Sequence, residues 1–300
     1  MKYGIFYNQK AGKGESEKVA FLGKQMIEKN GGQALLISGA TLAESISDLK
    51  AVLPDLGALL VIGGDGTLNV AMSVIVELDR PLPFGIIPAG TVNNFASYYN
   101  LPTQATAAFD MILHQSQIKE VGIAKCKDHQ AIGSSLTFGN LADIGNEVRQ
   151  QDKKHLGLLV YLLQALKQIG KNKSYQIEYK IDGKKRNFKT WFALVTTTPS
   201  IAGFIYDEES PGHMHLSLLN NIHFKQVFDY LYFAITGKLR VSKQITSFQP
   251  QKIELKAMDN KKVTVRIDGD KGPELPLTIN YLPEYLPLYV SKKEKATSEQ

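Results

Sequence analysis

The sequence predicts an α/β domain built on a parallel sheet, followed by a mainly antiparallel, β-sandwich-like domain with helices. In the first third, short β-rich runs alternate with amphipathic stretches, which is typical of a parallel sheet covered by helices. After about residue 118 the rhythm changes to strands and turns. The composition, 43% hydrophobic and 21% charged over 300 residues, is that of a globular chain and excludes a disordered one.

Residues 1–118 form the predicted first domain. Its elements in chain order are a strand at 2–8, a helix at 16–29, a strand at 34–38, a helix at 42–53, a strand at 58–62, a helix that begins near Thr67 and a strand at 84–88. Thr41 and Glu44 have the T-x-x-E spacing of a capping box, which marks the start of the second helix.

Residues 119–290 form the predicted second domain, and the charged residues 291–300 form a solvated tail. The predicted strands are Tyr175–Ile181, Asn187–Thr197, Met214–Leu219, Lys252–Lys256 and Val263–Ile267. Two apolar helices, at 156–169 and 224–235, are interpreted as core. Asp182-Gly183 has the composition of a two-residue hairpin, and Asp259-Asn260 suggests another turn.

Charge, cysteine content and hydropathy indicate the kind of partner and the cellular compartment of the protein. The chain has 35 Lys and Arg against 29 Asp and Glu, a net charge of +6 that favours anionic ligands or surfaces. Cys126 is the one cysteine, which suits a reducing compartment. Without an apolar signal at the start or an apolar run long enough to span a bilayer, we expect a cytoplasmic protein, peripheral at most to the inner membrane face.

The most specific motif is GGDGTLNV at 63–70, between a buried strand and an apolar-periodic segment. Three glycines let the backbone approach a ligand, namely Gly63, Gly64 and Gly66. The helix that begins near Thr67 offers free N–H groups to phosphate. A carboxylate at Asp65 is explained if it holds Mg²⁺ or orients an acceptor hydroxyl. We favour this phosphate site over a tight turn in which Asp65 caps a helix.

Two other turns each follow a strand and precede a helical stretch: NQKAGKG at 8–14 and PAGTVNNFA at 88–96. Because carboxyl ends of parallel strands share one edge of a sheet, all three turns should lie where such sheets bind ligands. Lys13 would neutralise a phosphate, and Asn93 would hydrogen-bond a base or ribose. Gly90 and Thr91 repeat the pattern of a glycine and an N-cap. The spacings of a P-loop and of a Rossmann fingerprint are both absent.

These motifs resemble the diacylglycerol kinase catalytic family, which also contains sphingosine kinases and is related to NAD kinases. The resemblance rests on N-x-x-[SA]-G near the start, GGDGT after the third strand and P-x-G-T-x-N after the fourth. It continues through KHLGLLVY at 154–161 and RIDGD at 266–270, in order over nearly the whole chain. The resemblance implies a nucleotide domain, a β-rich domain and ATP with Mg²⁺ in the cleft between them.

The resemblance also implies roles for single residues. ATP would be bound by Asn8, Gly12, Gly64, Asp65, Thr67, Gly90, Thr91 and Asn93. The general base would be the carboxylate of a late D-G-E motif, which is Asp270 in this sequence. An aspartate is one methylene shorter than the glutamate of the family, and the other interpretation of IDGD is a hairpin turn.

Four acids of the family are replaced in this chain, at Val70, Asn94, Gly122 and Pro211. Asp207, Glu208 and Glu209 lie just before Pro211, where they form either a replacement acid or an exposed acidic loop. The resemblance therefore transfers the fold and nucleotide binding more directly than it transfers catalysis.

We expect an ATP-dependent lipid kinase of phospholipid metabolism that transfers the γ-phosphoryl group to the hydroxyl of diacylglycerol or a similar lipid. One alternative is an enzyme like NAD kinase, because Asn146-Glu147 resembles an Asn-acid pair of those enzymes. Another is a non-catalytic nucleotide- or lipid-binding relative, because of the missing acids. The sequence leaves open which lipid is the acceptor and whether the chain forms a homodimer.

Two further clusters are weaker. Lys184, Lys185, Arg186 and Lys189 belong to a basic hairpin that either faces anionic phospholipid headgroups or is simply solvated. His213 and His215 would lie on one face of a strand, and without a third ligand at helpful spacing we interpret them as ordinary histidines. No sequence signature indicates a nucleic-acid partner.

Overall fold

The computed structural model describes residues 1–9, 15–140, 174–201, 204–205, 212–220, 245–259 and 261–292. Two compact units make up the chain. The first comprises Met1–Val121 with Glu284–Gln300, and the second comprises Gly122–Pro283.

The first unit is built on four parallel strands with the order β2-β1-β3-β4. The strands are β1 (Lys2–Tyr7), β2 (Gln33–Ile37), β3 (Ala58–Gly63) and β4 (Phe84–Pro88). Every residue of β3 and β4 is buried, because both strands are central and are rich in Leu, Ile and Val. The predicted parallel sheet is confirmed.

Five α-helices lie in the described residues of this unit. They are α1 (Glu15–Lys29), α2 (Leu42–Val52), α3 (Asp65–Glu77), α4 (Asn94–Tyr98) and α5 (Ala105–Asp110). The capping box of α2 is confirmed, since the Glu44 N–H donates to Thr41 Oγ1 and the Thr41 N–H donates to Glu44 Oε2, both at 3.2 Å. Helix α3 begins two residues before the predicted start, because Gly64 is its N-cap.

The strands from residue 116 onward are β5 (Ser116–Lys125), β6 (Ala131–Ile132), β7 (Ser135–Gly139), β8 (Tyr175–Ile181), β9 (Lys184–Thr190), β10 (Phe192–Thr196), β11 (Ser200–Ile201), β12 (Phe204–Ile205), β13 (His215–Leu219), β14 (Ile245–Phe248), β15 (Lys252–Ala257), β16 (Thr264–Ile267), β17 (Asp270–Glu274) and β18 (Leu277–Ser291). Strand β18 contributes to both units. Its first half pairs antiparallel with β15, and Leu288 near its end pairs parallel with Phe84 of β4.

The second unit has two antiparallel layers. One layer has the order β14-β13-β10-β7-β16-β17, and the other contains β18, β15, β8 and β9. A single core cluster joins side chains of both layers, among them Phe138 and Leu216 from the first and Tyr179 and Leu255 from the second. The predicted antiparallel β domain is confirmed.

One predicted strand of this unit is wrong in extent. The pattern at 187–197 predicts one strand, but the structure divides the segment at the buried Trp191. Strand β9 pairs with β8, whereas β10 pairs with β7 and β13 in the other layer. The chain therefore changes layer at Trp191, while the apolar pattern continues without a break.

Eight of the described strands are absent from the sequence prediction: the longer β5, β7, β14, β17 and β18 and the two-residue β6, β11 and β12. Strand β18 contains Pro283 and Pro287, and proline within an apolar run argues against a strand because it lacks an N–H donor. It also contains Glu284 with φ of 49°, a backbone irregularity that sequence patterns do not reveal.

The predicted hairpin at Asp182-Gly183 is confirmed. Both residues have positive φ, 45° and 84°, and they connect β8 to β9 with Ile181 opposite Lys184. Asp268-Gly269 makes the same kind of turn, with φ of 49° and 91°, between β16 and β17. IDGD therefore contains a hairpin turn, and the role of Asp270 as general base stays a prediction.

Several predicted features lie outside the described residues. They are the turn at 10–14, the helices at 156–169 and 224–235, the pair Asn146-Glu147, the acids at 207–209 with Pro211, and most of the charged tail. Among the helices that the structure describes, none is long and apolar enough to cross a membrane.

Candidate functional site

The topology of the first unit marks one edge of its sheet. Strand β1 has β2 on one side and β3 on the other, so the connections leave β1 in opposite directions. Ligands of open α/β sheets bind at the carboxyl ends of the strands at such a switch point. Asn8 follows β1 directly, and Tyr7 pairs with Ile62 at the end of β3.

The end of β4 lies beside the end of β3 on this edge, with Gly63 opposite Pro88. The Ala89 N–H donates to the Gly63 carbonyl at 3.0 Å and extends the pairing by one residue. The turns after β1, β3 and β4 therefore begin side by side, as the sequence predicts.

The turns after β3 and β4 touch through their glycine backbones. A Cβ atom on Gly90 would lie 2.5 Å from the Cα of Gly64, and a Cβ atom on Gly64 would lie 3.0 Å from the Cα of Gly90. Two backbones approach this closely only where both residues lack a side chain. These two glycines are thus required by their contact with each other.

Gly63 is required for a different reason. A Cβ atom there would lie 2.5 Å from both Cβ and Oγ1 of Thr67, in the first turn of α3. The Thr67 and Leu68 N–H groups donate to the Gly64 carbonyl, so α3 starts directly at the glycine turn. The helix directs its N-terminal N–H groups toward the sheet edge, where they favour an anion. Gly66, the second residue of this helix, is half-buried.

Asp65 joins the two turns. Its side chain is 7% exposed, and its carboxylate accepts the Asn94 N–H on Oδ2 at 3.1 Å and the Phe95 N–H on Oδ1 at 3.3 Å. These N–H groups belong to the first turn of α4, which lacks a side-chain cap of its own. Asp65 is therefore a helix cap, as the alternative interpretation of the motif held, but for α4 and not for α3.

Asn93 closes the turn after β4. Its φ of 51° is left-handed, a conformation that asparagine tolerates better than most residues. Its Oδ1 accepts the Gly90 N–H at 3.0 Å, and its Nδ2 donates to the Gly90 carbonyl at 2.9 Å. The side chain thus fixes the turn, while its predicted contact with a base or ribose stays a prediction. Thr91 in the same turn is exposed.

The structure brings most of the predicted nucleotide residues to this edge. Asn8 is exposed at the end of β1, and the glycine and asparagine residues of the other turns lie beside each other. Gly12 and Lys13 lie outside the described residues. Within the described ranges, no group of three or more His, Cys, Asp or Glu side chains is arranged to hold a metal ion.

In the second unit, the D-G-D turn separates two aspartates with different environments. Asp268 is 4% exposed, whereas Asp270 is exposed at the start of β17. The Asp268 carboxylate accepts four hydrogen bonds of 2.7 to 2.9 Å, from the N–H groups of Gly133, Ser134 and Ser135 and from Ser134 Oγ.

The hydrogen bonds around the Asp268 carboxylate continue to a third segment. The Thr197 N–H donates to the Ser134 carbonyl at 3.2 Å, and Thr197 Oγ1 donates to the Gly133 carbonyl. The first aspartate of the motif therefore holds the loop before β7 against the end of β10. Sequence analysis missed Asp268, because nothing in a local pattern indicates a partner 134 residues away.

Two of the replaced acids lie in the first unit, and nothing in the structure explains their replacement. Val70 is half-exposed in the second turn of α3, and Asn94 begins α4 with its N–H bound to Asp65.

At Gly122 in the second unit, the ring of Tyr281 fills the space that a side chain would need, with its hydroxyl oxygen and Cζ nearest. His215 is 1% exposed, and His213 precedes the strand, so the two histidines have different surroundings.

Two family descriptions match the chain in order. Residues 2–126 match the diacylglycerol kinase catalytic domain, and residues 135–290 match the YegS C-terminal NAD kinase beta sandwich-like domain. The chain belongs to the diacylglycerol kinase family of lipid kinases. As a member of a kinase family, it is expected to use ATP.

Relatives of this family member carry matching names. It is 24% identical to "Diacylglycerol kinase" of Staphylococcus carnosus, over 84% of this chain and 83% of that protein. It is 26% identical to "Putative lipid kinase" of the same strain, over 97% of each chain.

Solved structures show the same fold at lower identity. A structure of a "putative diacylglycerol kinase" from Bacillus anthracis covers 97% of each chain with a TM-score of 0.77 and 17% identity. An NAD kinase from Archaeoglobus fulgidus in complex with ATP covers 98% of this chain and 95% of that one, with a TM-score of 0.52 and 11% identity. Both similarities concern the fold.

Proposed function

We propose that this family member transfers the γ-phosphoryl group of ATP to the hydroxyl of a membrane lipid, diacylglycerol or a similar molecule. The observation that carries the proposal is the pair of glycine turns at the switch point, held in backbone contact by Asp65 and Asn93. Such an edge exposes backbone to phosphate oxygens, and phosphoryl transfer requires mainly positioning and charge stabilisation.

In this proposal the first unit binds the nucleotide. Gly63, Gly64 and Gly90 give the polyphosphate access to backbone, and the N-terminus of α3 stabilises its charge. Asn8, Gly12, Lys13, Gly66, Thr67, Thr91 and Asn93 complete the proposed ATP site.

Asp65 would hold Mg²⁺. Its carboxylate fits that ion in kind, because Mg²⁺ takes hard oxygen ligands and is commonly held by one or two carboxylates together with substrate phosphates. Bound there, the ion would neutralise charge on the phosphates. Asp65 also keeps the two turns together through the Asn94 and Phe95 N–H groups, so it is a positioning residue as well.

Asp270 is the proposed general base. The lipid hydroxyl oxygen attacks the γ-phosphorus, the bond from that phosphorus to the bridging oxygen of ADP breaks, and the hydroxyl proton passes to the Asp270 carboxylate. The Asp270 side chain at the end of the D-G-D turn is exposed to solvent, in contrast to that of Asp268.

The buried Cys126 suits the proposed cytoplasmic location, at the face of the membrane that ATP reaches.

The test is transfer of labelled γ-phosphate from Mg-ATP to a mixture of diacylglycerol micelles and NAD, followed by solvent extraction. Wild-type protein is expected to place label in the organic phase, and Asp65→Asn is expected to lose it, because an amide keeps one acceptor oxygen but no charge. Asp48→Asn is the matched control, since it makes the same change of charge at an exposed position of α2.

Each result has a distinct meaning. Label in aqueous NADP would contradict the proposal in favour of an NAD kinase-like enzyme. ATP binding without label in either phase would contradict it in favour of a non-catalytic relative. The four replaced acids are the reason to consider that alternative.

A further inference from the structure

The positive charge of the chain is concentrated in the second unit. The first unit contains 12 Lys and Arg against 14 Asp and Glu, a net charge of −2. The second contains 23 against 15, a net charge of +8. The predicted preference for anionic partners therefore belongs to the β unit alone.

One face of this unit presents a group of lysines to solvent. In β8 and β15 every second residue, such as Tyr179, Ile253 and Leu255, lies in the core cluster, so the residues between them point away from it. We call the outward-facing positions of β8, β9 and β15 the basic face. Its lysines are Lys180, Lys185, Lys189, Lys252 and Lys256.

Two glutamates on the basic face neutralise only part of this charge. Glu254 is 3.1 Å from Lys252 Nζ and 3.2 Å from Lys180 Nζ, and Glu178 is 3.6 Å from Lys185 Nζ. Hydrogen bonds from Lys252 and Lys180 lower the pKa of Glu254, so it stays ionised. Five lysines against two glutamates leave the face with three net positive charges.

The outer strand of the basic face is firmly supported. Phe188 of β9 packs edge-on against Tyr179, with ring centroids 5.6 Å apart, and its centroid is 5.9 Å from that of Phe248. Arg186 lies over the Phe248 ring at 5.4 Å. Arg186 is opposite Tyr179 and Lys184 is opposite Ile181, so both lie on the core side of β9 and not on the basic face. The lysines are thus carried on a fixed sheet.

An apolar side chain accompanies the charges. Met258 follows β15, and its N–H donates to the Gln176 carbonyl at 2.8 Å. Gln176 is paired with Lys189, so Met258 lies at the Lys189 end of the face. Its side chain is 53% exposed. An exposed methionine beside lysines fits a lipid surface better than it fits a nucleic-acid backbone, which offers phosphates but no apolar layer.

We propose that the basic face docks the chain onto bilayers that contain anionic phospholipids, with Met258 entering the interface. This inference rests on the proposed function, since a lipid acceptor lies in a bilayer that the enzyme must reach from outside. Each lysine near an anionic surface contributes about 1 kcal/mol, enough for several together to hold a protein there reversibly.

The test is co-sedimentation of the full chain with vesicles, without nucleotide. One set of vesicles contains phosphatidylcholine alone, and the other contains equal parts of phosphatidylcholine and phosphatidylglycerol. We expect binding to the second set only, weakened about 30-fold or more by Lys185→Glu with Lys189→Glu. The matched control is Lys24→Glu with Lys29→Glu on α1 of the first unit, which lowers the net charge equally and is expected to bind nearly as wild type.

Three outcomes would overturn the inference. They are equal binding to both vesicle compositions, equal losses in the two double variants, and tighter binding to a DNA duplex than to anionic vesicles at the same ionic strength.

A second readout follows insertion directly. Trp191 is the one tryptophan and is buried, so Met258→Trp adds a second, exposed fluorophore. Its emission is expected to shift to shorter wavelength with anionic vesicles. An unchanged emission during binding would contradict entry of this position into the interface.

Assays with micellar diacylglycerol separate this inference from the proposed function. Loss of activity on vesicles but not on micelles in Lys185→Glu with Lys189→Glu supports docking. Vesicle binding without any phosphoryl transfer would leave docking intact and contradict the kinase proposal.

Discussion

Asp65 in the first unit and Asp268 in the second are both more than nine-tenths buried, and both accept backbone N–H groups from turns distant in sequence. Asp65 accepts two such groups, at the candidate nucleotide edge. Asp268 accepts three together with a hydroxyl. An ionised carboxylate has about four acceptor positions, so these four bonds account for Asp268 as a structural anchor.

Burial alone therefore does not distinguish an aspartate that supports the fold from one at the candidate nucleotide site. Both aspartates lie in Asp-Gly pairs beside a turn. What differs is the surroundings. Asp65 joins the start of α3 to the start of α4 at the candidate nucleotide edge, whereas Asp268 binds the loop before β7 in an antiparallel layer. The exposed Asp270, two residues further on, is free of that structural duty.

The largest effect on stability is expected for Asp268→Ala. Removing the carboxylate leaves several buried N–H groups without an acceptor, which should cost about 3 to 5 kcal/mol in the free energy of unfolding. Urea unfolding followed by circular dichroism measures it. Asp270→Ala serves as the control, and a loss no larger than that of the control would end the assignment of Asp268 as the anchor.

A smaller effect, about 2 kcal/mol, is expected for Gly90→Ala, because the added methyl group meets the Cα of Gly64, a backbone atom that moves only with its whole turn. Binding of ATP should weaken at least about tenfold, as the edge is forced apart. Calorimetric titration measures this affinity. Gly31→Ala is strained by its φ of 76° but meets no atom within 4 Å, so it should lose stability and still bind ATP as wild type. Equal ATP affinities in both variants would show that the contact between Gly64 and Gly90 is irrelevant to the nucleotide.

Gly122→Ala tests the corresponding contact in the second unit. Its methyl group meets the Tyr281 ring, a side chain that is half-buried and can shift, so we expect a cost of about 1 kcal/mol. The cost should fall in the Tyr281→Ala background, which makes a double-mutant cycle the appropriate measurement. Additive effects in that cycle would contradict the contact.

The smallest change in stability, within about 0.5 kcal/mol, is expected for Asp270→Asn, because the residue is exposed. Phosphoryl transfer to diacylglycerol should nevertheless fall about 100-fold or more, since an amide does not accept the hydroxyl proton. Two measurements check this prediction: the rate of phosphoryl transfer and the midpoint of urea unfolding. An unchanged transfer rate would contradict the assignment of Asp270 as the base. Asp65→Asn, measured in parallel, shows whether the assay detects loss of a residue of the proposed ATP site.

Much of the fold follows from local sequence signals. Strands β1, β3 and β4, the capping box at Thr41 and the hairpin at Asp182-Gly183 all lie where their patterns predict. These features depend on residues only a few positions apart. Strand β18 is the counterexample, because its prolines conceal a strand that pairing with β15 and β4 supports.

In the candidate site, too, the turns follow from local patterns, whereas the contacts between them do not. The motifs of 63–70 and 88–96 predict which turns would face a ligand, since glycine spacing after a buried strand is a local property. The hydrogen bonds from α4 to Asp65 and the contact between Gly64 and Gly90 join residues 26 to 30 positions apart, so no local pattern predicts them.

Periodicity and turn composition act over a few residues, and these local patterns predict the two kinds of domain, the glycine turns and their resemblance to lipid kinases. The folded chain alone reveals which aspartate is an anchor, where the chain changes layer at Trp191 and which lysines share a face. Burial and hydrogen bonding bring together groups far apart in the chain, and a linear pattern carries no record of those partners.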